Sequence, residues 1–399
     1  MADIIPDGIV CTAAQYARFK SGDPSIYCIN RSESLGLLIV TQIGLLSLVS
    51  VCYVFFIIGR NVVRHMLHSP DRKVSIVQEP MDIFMLSLFC ADFVQALGAV
   101  MDIKWIHQGV TEIGPYCTAQ GVIQQLGETG VAITTLLIAI YTFIGVWWRI
   151  GMGKRAVNVA RIVILTAWAF VFIMVIVPNI LHANAVDLYQ GPTPYHCWIT
   201  NNYLQWRIWG EYFWFWITLA FSSFAYTLLF LWSRGNITLN EYSWWRFSIH
   251  RASKFDTHQS TRMQSLVMLA YPIVYMMIIL PLCIVRWIGF VQESAAGGGK
   301  NRIGAAPTLT VIGIYGFSGL ANVILLLTTR PNSVLFGHKI DYSPRTVRPN
   351  VGASAGAVVA GQFSSSYKGQ RDSVGETDGG DPSSDLGRLP SRSSAGGWA

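Results

Sequence analysis

Charge is what this sequence has least of. Only 13% of its 399 residues are Asp, Glu, Lys or Arg, while 52% are hydrophobic. A soluble domain carries about twice that charged fraction, so a water-exposed globule of this length would lack the ionic groups to cover its surface. Lipid removes that demand. The scarcity continues inside the long apolar runs, which hold no lysine, and a retinal protein with a Schiff-base lysine in its last span is thereby set aside. The eight histidines (His65, His68, His107, His182, His196, His250, His258 and His338) fall in loops, at the ends of apolar runs or in the tail. An intramembrane zinc site therefore has no ligand set. There is no strand followed by a glycine-rich phosphate loop and no serine-nucleophile motif. These absences argue against an enzyme, and no metal or cofactor is expected. The formal charge of +7 comes from basic residues scattered between apolar stretches, a distribution that does not suit a nucleic-acid partner.

Crossing a bilayer core takes about 20 apolar residues in helical form. Seven runs reach that length: 35–59, 83–101, 118–148, 162–181, 212–232, 266–285 and 303–329. Backbone amides find no partners in hydrocarbon, so each run must be a helix. The expectation is an all-α integral membrane protein, a seven-transmembrane-helix bundle. Residues 1–34 are polar and lack an apolar core, so the first span is expected to act as its own signal-anchor. Loops on the side that would hold the N-terminus carry seven Lys and Arg, leaving out Arg286 at the rim of span six. The opposite loops and the proximal tail carry seventeen. The excess marks the cytosolic side, which places the N-terminus outside and the C-terminus in the cytosol. The expected divisions are an extracellular segment 1–34, a membrane domain 35–342 and a cytosolic tail 343–399. That tail contains 11 Ser, 10 Gly and 4 Pro, a composition expected to be disordered.

Cys11, Cys28, Cys117 and Cys197 fall on the expected outer side, an even number where disulfides form; Cys52, Cys90 and Cys283 fall within spans. Cys117 begins span three and Cys197 lies in the 182–211 loop, a candidate pair that would tie the loop over the bundle mouth. Cys11 and Cys28 are a second candidate pair. Asn30-Arg31-Ser32 is a glycosylation acceptor on that side, whereas Asn236-Ile237-Thr238 would be hidden in the cytosol.

Polar residues inside spans mark function. Gln120, Gln124 and Glu128 recur every four residues in span three and share one helical face, which should turn away from lipid. Arg207 and Glu211, also four apart, enter span five, and Arg286 closes span six on the same side. Trp198, Trp206, Trp209, Trp214 and Trp287 lie near that level, where most of them also fit an interfacial aromatic belt. From these groups Gln120, Gln124, Glu128, Trp198, Glu211, Arg286 and Trp287 are candidate ligand-binding residues. Asp92 stands alone in span two, and Asn322 lies at a depth in span seven where the two can meet. Pro272 and Pro281 each remove a backbone hydrogen bond from span six. With Asp92 and Asn322 they form a candidate switch. On the basic side, Arg149, Arg234, Arg246, Arg251, Lys254 and Arg262 are candidate contacts for a cytosolic partner such as a Gα subunit. The last five sit in a loop with Trp244, Trp245 and Phe247 that fits anionic lipid equally well.

Residues 86–98, with Ala91-Asp92 and Gln95-Ala96-Leu97-Gly98, resemble span two of G-protein-coupled receptors, particularly the fungal glucose-sensing group. Met268-Leu269-Ala270-Tyr271-Pro272-Ile273-Val274-Tyr275, followed by Leu280-Pro281, is similar to span six of that group and of the cyclic-AMP-receptor-like families. Gly319-Leu320-Ala321-Asn322, then Thr329-Arg330-Pro331, resembles their span-seven ending. Two departures separate the chain from rhodopsin-like receptors. Tyr141-Thr142-Phe143 stands where those carry an acidic-Arg-aromatic triplet, and no proline follows Asn322. The resemblance covers roughly residues 35–338. It adds Tyr271 to the candidate switch and Tyr275 to the candidate pocket. It implies a multi-pass plasma-membrane receptor for a small extracellular ligand, such as a sugar, that engages a heterotrimeric G protein and feeds cyclic-AMP signalling. The alternative is a seven-helix small-solute transporter or channel, which would usually show an internal repeat; none is visible here.

Overall fold

The computed structural model describes residues 8–68, 79–147, 154–182, 189–233, 237–240, 243–249, 259–295 and 304–329. The expected tail, 343–399, lies outside these residues. A short helix α1 (Ala13–Lys20) and strand β1 (Ile26–Cys28) precede the first long helix, α2 (Arg31–His68). Then come α3 (Pro80–Val100), the short α4 (Ile103–Gln108), β2 (Val110–Glu112), α5 (Pro115–Trp147) and α6 (Lys154–Leu181). A hairpin of β3 (Gln190–Thr193) and β4 (His196–Ile199) leads to α7 (Leu204–Arg207), a π-helical turn at Ile208–Tyr212 and α8 (Phe213–Ser233). Strands β5 (Ile237–Asn240) and β6 (Ser243–Ile249), then α9 (Gln259–Ala295), α10 (Ala305–Gly316) and α11 (Ser318–Thr329), complete the order.

Seven stretches among the described residues are long and apolar enough to cross a membrane: Arg31–Arg64, Pro80–Gln108, Pro115–Gly145, Arg155–Leu181, Asn201–Trp232, Val274–Gln292 and Ala305–Thr329. They coincide with the seven expected runs and mostly extend beyond them, because a helix continues through polar residues once lipid no longer sets its composition. The start of α2 illustrates this. Asn30 Oδ1 accepts from the Glu33 amide at 2.9 Å, and Glu33 Oε2 accepts from the Asn30 amide at 2.9 Å, a reciprocal cap that satisfies two otherwise orphaned donors. Asn30, the first residue of the Asn30-Arg31-Ser32 motif, is thus the N-cap of the first span. Outward-facing Ile39, Val49, Phe56, Ile162, Leu165 and Ile180 are all well exposed, the pattern of helices solvated by lipid rather than water.

At the centre, α3 and α5 pack closely. A side chain on Gly127 would collide with the Gln95 backbone, so glycine there is what lets the two helices touch. Helix α6 is held to them by Trp168, whose Nε1 donates to Ser87 Oγ at 2.9 Å; Ser87 and Thr134 share a hydroxyl–hydroxyl bond of 3.2 Å.

The connections contain strands that the apolar runs did not announce: three antiparallel pairs, β1–β2, β3–β4 and β5–β6. Strands of three to seven residues carry too little alternation to stand out beside 20-residue apolar runs. Both candidate cysteine pairs form disulfides, Cys117–Cys197 and Cys11–Cys28. The first fastens β4 to the opening turn of α5. One turn further, Gln120 Oε1 accepts from Trp105 Nε1 at 2.6 Å and from the Cys197 amide at 3.2 Å, and its Nε2 donates to Asp102. This clamp joins α4, α5 and β4 at the disulfide-bearing end of the bundle.

The two disulfides close chain segments of 17 and 80 residues. Chain-entropy scaling makes the longer closure worth about 1.4 kcal/mol more. Replacing Cys117 and Cys197 together by alanine should therefore lower the thermal midpoint in detergent more than replacing Cys11 and Cys28. Equal losses would mean that the Gln120 clamp alone carries the tie.

Candidate functional site

A small cavity of about 10 Å³ lies at the disulfide-bearing end, lined by Gln124, Glu128, His196, Trp198, Glu211, Tyr212, Leu282, Arg286, Ile312 and Tyr315. Each wall has a local cause. The four-residue spacing on α5 sets Gln124 over Glu128, and Gln124 Nε2 donates to Glu128 Oε1 at 3.0 Å. The β3–β4 hairpin carries His196 and Trp198, held down by the disulfide between them. Glu211 sits in the π-helical turn, where Gly210 allows close approach and its carbonyl accepts from Thr129 Oγ1 at 3.2 Å. Such a turn shifts the side-chain register of a helix and is commonly found at functional positions. Here it accompanies Glu211 at 1% exposure.

The electrostatics are unusual. Glu128 and Glu211 line the same cavity. Trp198 Nε1 donates to Glu211 Oε2 at 3.1 Å, while Glu211 Oε1 has no partner. Arg286 stacks its guanidinium 5.1 Å from the Trp198 ring centre, and Arg207 lies 4.8 Å from that ring. Arg207 Nε donates to the Ile199 carbonyl at 2.6 Å. Among the described residues the only ion pair within 4.0 Å joins Arg18 to Asp23, far along the chain from this cavity. The carboxyl pair and Arg286 thus share one small space without forming an ion pair, and Arg286 Nε, like Glu211 Oε1, is unmatched. Burying charge in this way is costly unless something completes the contacts. A donor placed between the carboxyl groups, combined with an acceptor offered to the guanidinium, would do so.

Deeper in the bundle, a second and mostly apolar cavity of about 50 Å³ is bordered by Ser222, Tyr275, Ser318 and Asn322 among others. Asn322 Nδ2 donates to Asp92 Oδ2 at 2.9 Å, and Asp92 Oδ1 is unmatched. Span seven breaks between α10 and α11, and the freed backbone groups are met by α2: Ser47 Oγ donates to the Gly316 carbonyl at 2.6 Å and accepts from the Leu320 amide at 3.3 Å. Ser318 Oγ donates to Gln95 Oε1 at 3.1 Å. Tyr315, buried on the last turn of α10, belongs to the first cavity but sits three residues from Ser318 of the second.

The structure gathers five of the eight candidate ligand residues, Gln124, Glu128, Trp198, Glu211 and Arg286, in one cavity. Gln120 is engaged by its own clamp instead. Tyr275 borders the deeper cavity, and Trp287 is 47% exposed on the outside of α9. Asp92 and Asn322 meet as expected. Helix α9 runs unbroken through Tyr271, Pro272 and Pro281. Arg149, Arg234, Arg251 and Lys254 lie outside the described residues; Arg246 falls in β6 and Arg262 in α9. Sequence reasoning missed His196, Tyr212, Tyr315, Gln95 and Ser318. Only Ser318 left a signal, the Gly316-Phe317-Ser318-Gly319 run that marks a helix interruption.

No family model matches the chain, and no curated protein matches its sequence.

His196 supplies a measurable consequence. Burial, then Arg286 and Arg207, push its imidazole from 6.5 down to about 3. The folded protein therefore holds this ring neutral where the unfolded chain would protonate it. Stability present above pH 6.5 is lost as pH falls towards 3, by up to about 1.4 kcal/mol per pH unit. His196→Gln should flatten the fall of the thermal midpoint between pH 6.5 and 4. An unchanged slope would place the acid sensitivity elsewhere.

Proposed function

We infer that the chain is a multi-pass plasma-membrane receptor, N-terminus outside, that binds a small polar ligand in the Glu128–Glu211–Arg286 cavity and activates a heterotrimeric G protein on the opposite face. The observation that carries this reading is the alignment of two polar sites along one bundle. The first holds unmatched opposite charges under a disulfide-tied hairpin. The second, Asp92–Asn322, lies beside a break in span seven, with Tyr315 and Ser318 between them. A ligand that completes the first site changes what Tyr315 meets. The break gives the lower half of span seven freedom to repack, as a rigid-body switch requires. The excess of Lys and Arg in the loops of the other face suits a Gα partner and an inside location. A nutrient ligand such as a sugar, and a cyclic-AMP output, rest on the family resemblance.

A second reading has one observation of its own. Helices interrupted near mid-membrane, like span seven here, also occur in small-solute transporters. The two readings part on a single variant. Asp92→Asn keeps the shape but removes the charge beside Asn322. In a receptor it should change basal nucleotide exchange on Gα by about fivefold or more, the usual scale of a coupling free energy, with surface expression intact. Unchanged exchange would reduce Asp92 to a satisfied buried group, and solute flux through proteoliposomes would then be the expected activity.

A further inference from the structure

Helix α6 is the least enclosed of the seven spans. It packs chiefly on α3 and α5 and turns Ala160, Ile164, Val171 and Val175 inward. The opposite face begins with two exposed arginines, Arg155 and Arg161. Their spacing sets them about 9 Å apart along the helix axis and about 120° apart around it. Asn158, also exposed, falls midway between them, and its Oδ1 accepts from Arg161 Nη1 at 3.4 Å. Immediately beyond, the same face turns apolar. Ile162 and Leu165 are 63% and 69% exposed, and Phe172 and Ile176 continue the stripe.

This junction of charge and hydrocarbon surface narrows what can cover it. Among the described residues neither arginine meets a carboxylate within 4.0 Å. None of residues 129–186 is Asp or Glu, so α6 and its flanking chain supply no acidic partner. A guanidinium keeps its charge and offers a planar fork of donors matched to phosphate oxygens. Helix α5 carries Cys117 in its opening turn, so the start of α6 lies at the end of the bundle opposite that disulfide. There the exposed turn Ile162–Leu165 marks where hydrocarbon begins, and Arg155, Asn158 and Arg161 lie within about 10 Å of it on the water side. A negatively charged molecule with an apolar tail satisfies both halves of this face. A soluble anion would satisfy only the first.

We propose that this face of α6 is a binding site for an anionic phospholipid. The headgroup rests over Asn158 with its phosphate oxygens on Arg155 and Arg161, and one acyl chain lies along Leu165, Phe172 and Ile176. The Phe172 ring stands 5.7 Å from that of Trp168, the residue that ties α6 to Ser87 of α3. The lipid thereby covers the contact that holds span four in place. This goes beyond the receptor reading and does not depend on it, since a transporter would hold the same lipid.

The test is native mass spectrometry of the full chain, released from detergent micelles doped with equal amounts of phosphatidylserine and phosphatidylcholine of identical acyl chains. The protein should retain phosphatidylserine preferentially. The double variant Arg155→Gln, Arg161→Gln should lower the ratio of retained phosphatidylserine to phosphatidylcholine about fivefold or more, with the thermal midpoint unchanged. Arg60→Gln, which removes an exposed arginine of α2 towards the same end of the bundle, should leave the ratio as it was. Glycerophosphoserine, the headgroup without its chains, should not displace the bound lipid. Equal retention of the two lipids, or a ratio that the double variant leaves unchanged, would overturn the site. An equal fall with Arg60→Gln would overturn it in favour of general positive charge at that rim. Displacement by glycerophosphoserine would overturn the lipid and assign the arginines to a soluble anion.

Discussion

Two buried carboxyl groups and a guanidinium confined to one small cavity without an ion pair are the constraint on which the rest of this bundle depends. In a low-dielectric interior these groups attract strongly, and collapse into a salt bridge would be the simplest relief. They are kept apart because each sits on a separately fixed element. Glu128 is set by the α5 stripe beneath Gln124, and Glu211 by the π-helical turn at the head of α8. Arg286 is drawn instead over Trp198 of the disulfide-tied hairpin. The Gln120 clamp and the Cys117–Cys197 bridge hold that hairpin to α5. The scaffold thus holds all three groups around one cavity without an ion pair among them.

The second constraint is the one hydrocarbon imposes on every backbone group. A break in a membrane helix is tolerated only where side chains replace the missing hydrogen bonds. Ser47 does this for Gly316 and Leu320, and Gln95 engages Ser318. Gln95 is also the residue against which Gly127 lets α5 pack. The helix that carries Glu128 is therefore in direct contact with the side chain that bridges the span-seven break. Packed residues thus connect the Glu128–Glu211 cavity to the span-seven break beside Asp92 and Asn322.

Much of this was legible in the residues. Lipid forces spans to be long and nearly charge-free, so seven of them stand out against any background. A carboxylate such as Glu128 inside one of them has few benign explanations. The four disulfide cysteines stood out as candidates, but four cysteines allow three pairings, and the structure joins Cys11 to Cys28 and Cys117 to Cys197. What periodicity could not reveal was how polar groups divide among themselves. The spacing that places Gln120 above Gln124 says they share a face, but not that Asp102, Trp105 and Cys197 consume the first of them. Likewise Trp198 and Trp287 look alike as residues near an interface, yet one is pinned inward by its strand and the other points out from α9. Tyr212 and Tyr315 were hidden because an aromatic residue in an apolar run reads as core. Strands of three to seven residues are too short to be seen.

Coupling between the carboxyl cavity and a cytosolic transducer is the claim that binds these observations together. It is met most directly by purifying the protein, shown to be folded and N-terminus-out, and mixing it with a Gα heterotrimer in lipid nanodiscs. The account predicts a stable complex that GTP dissociates. No complex, or one that GTP leaves unchanged, would contradict it.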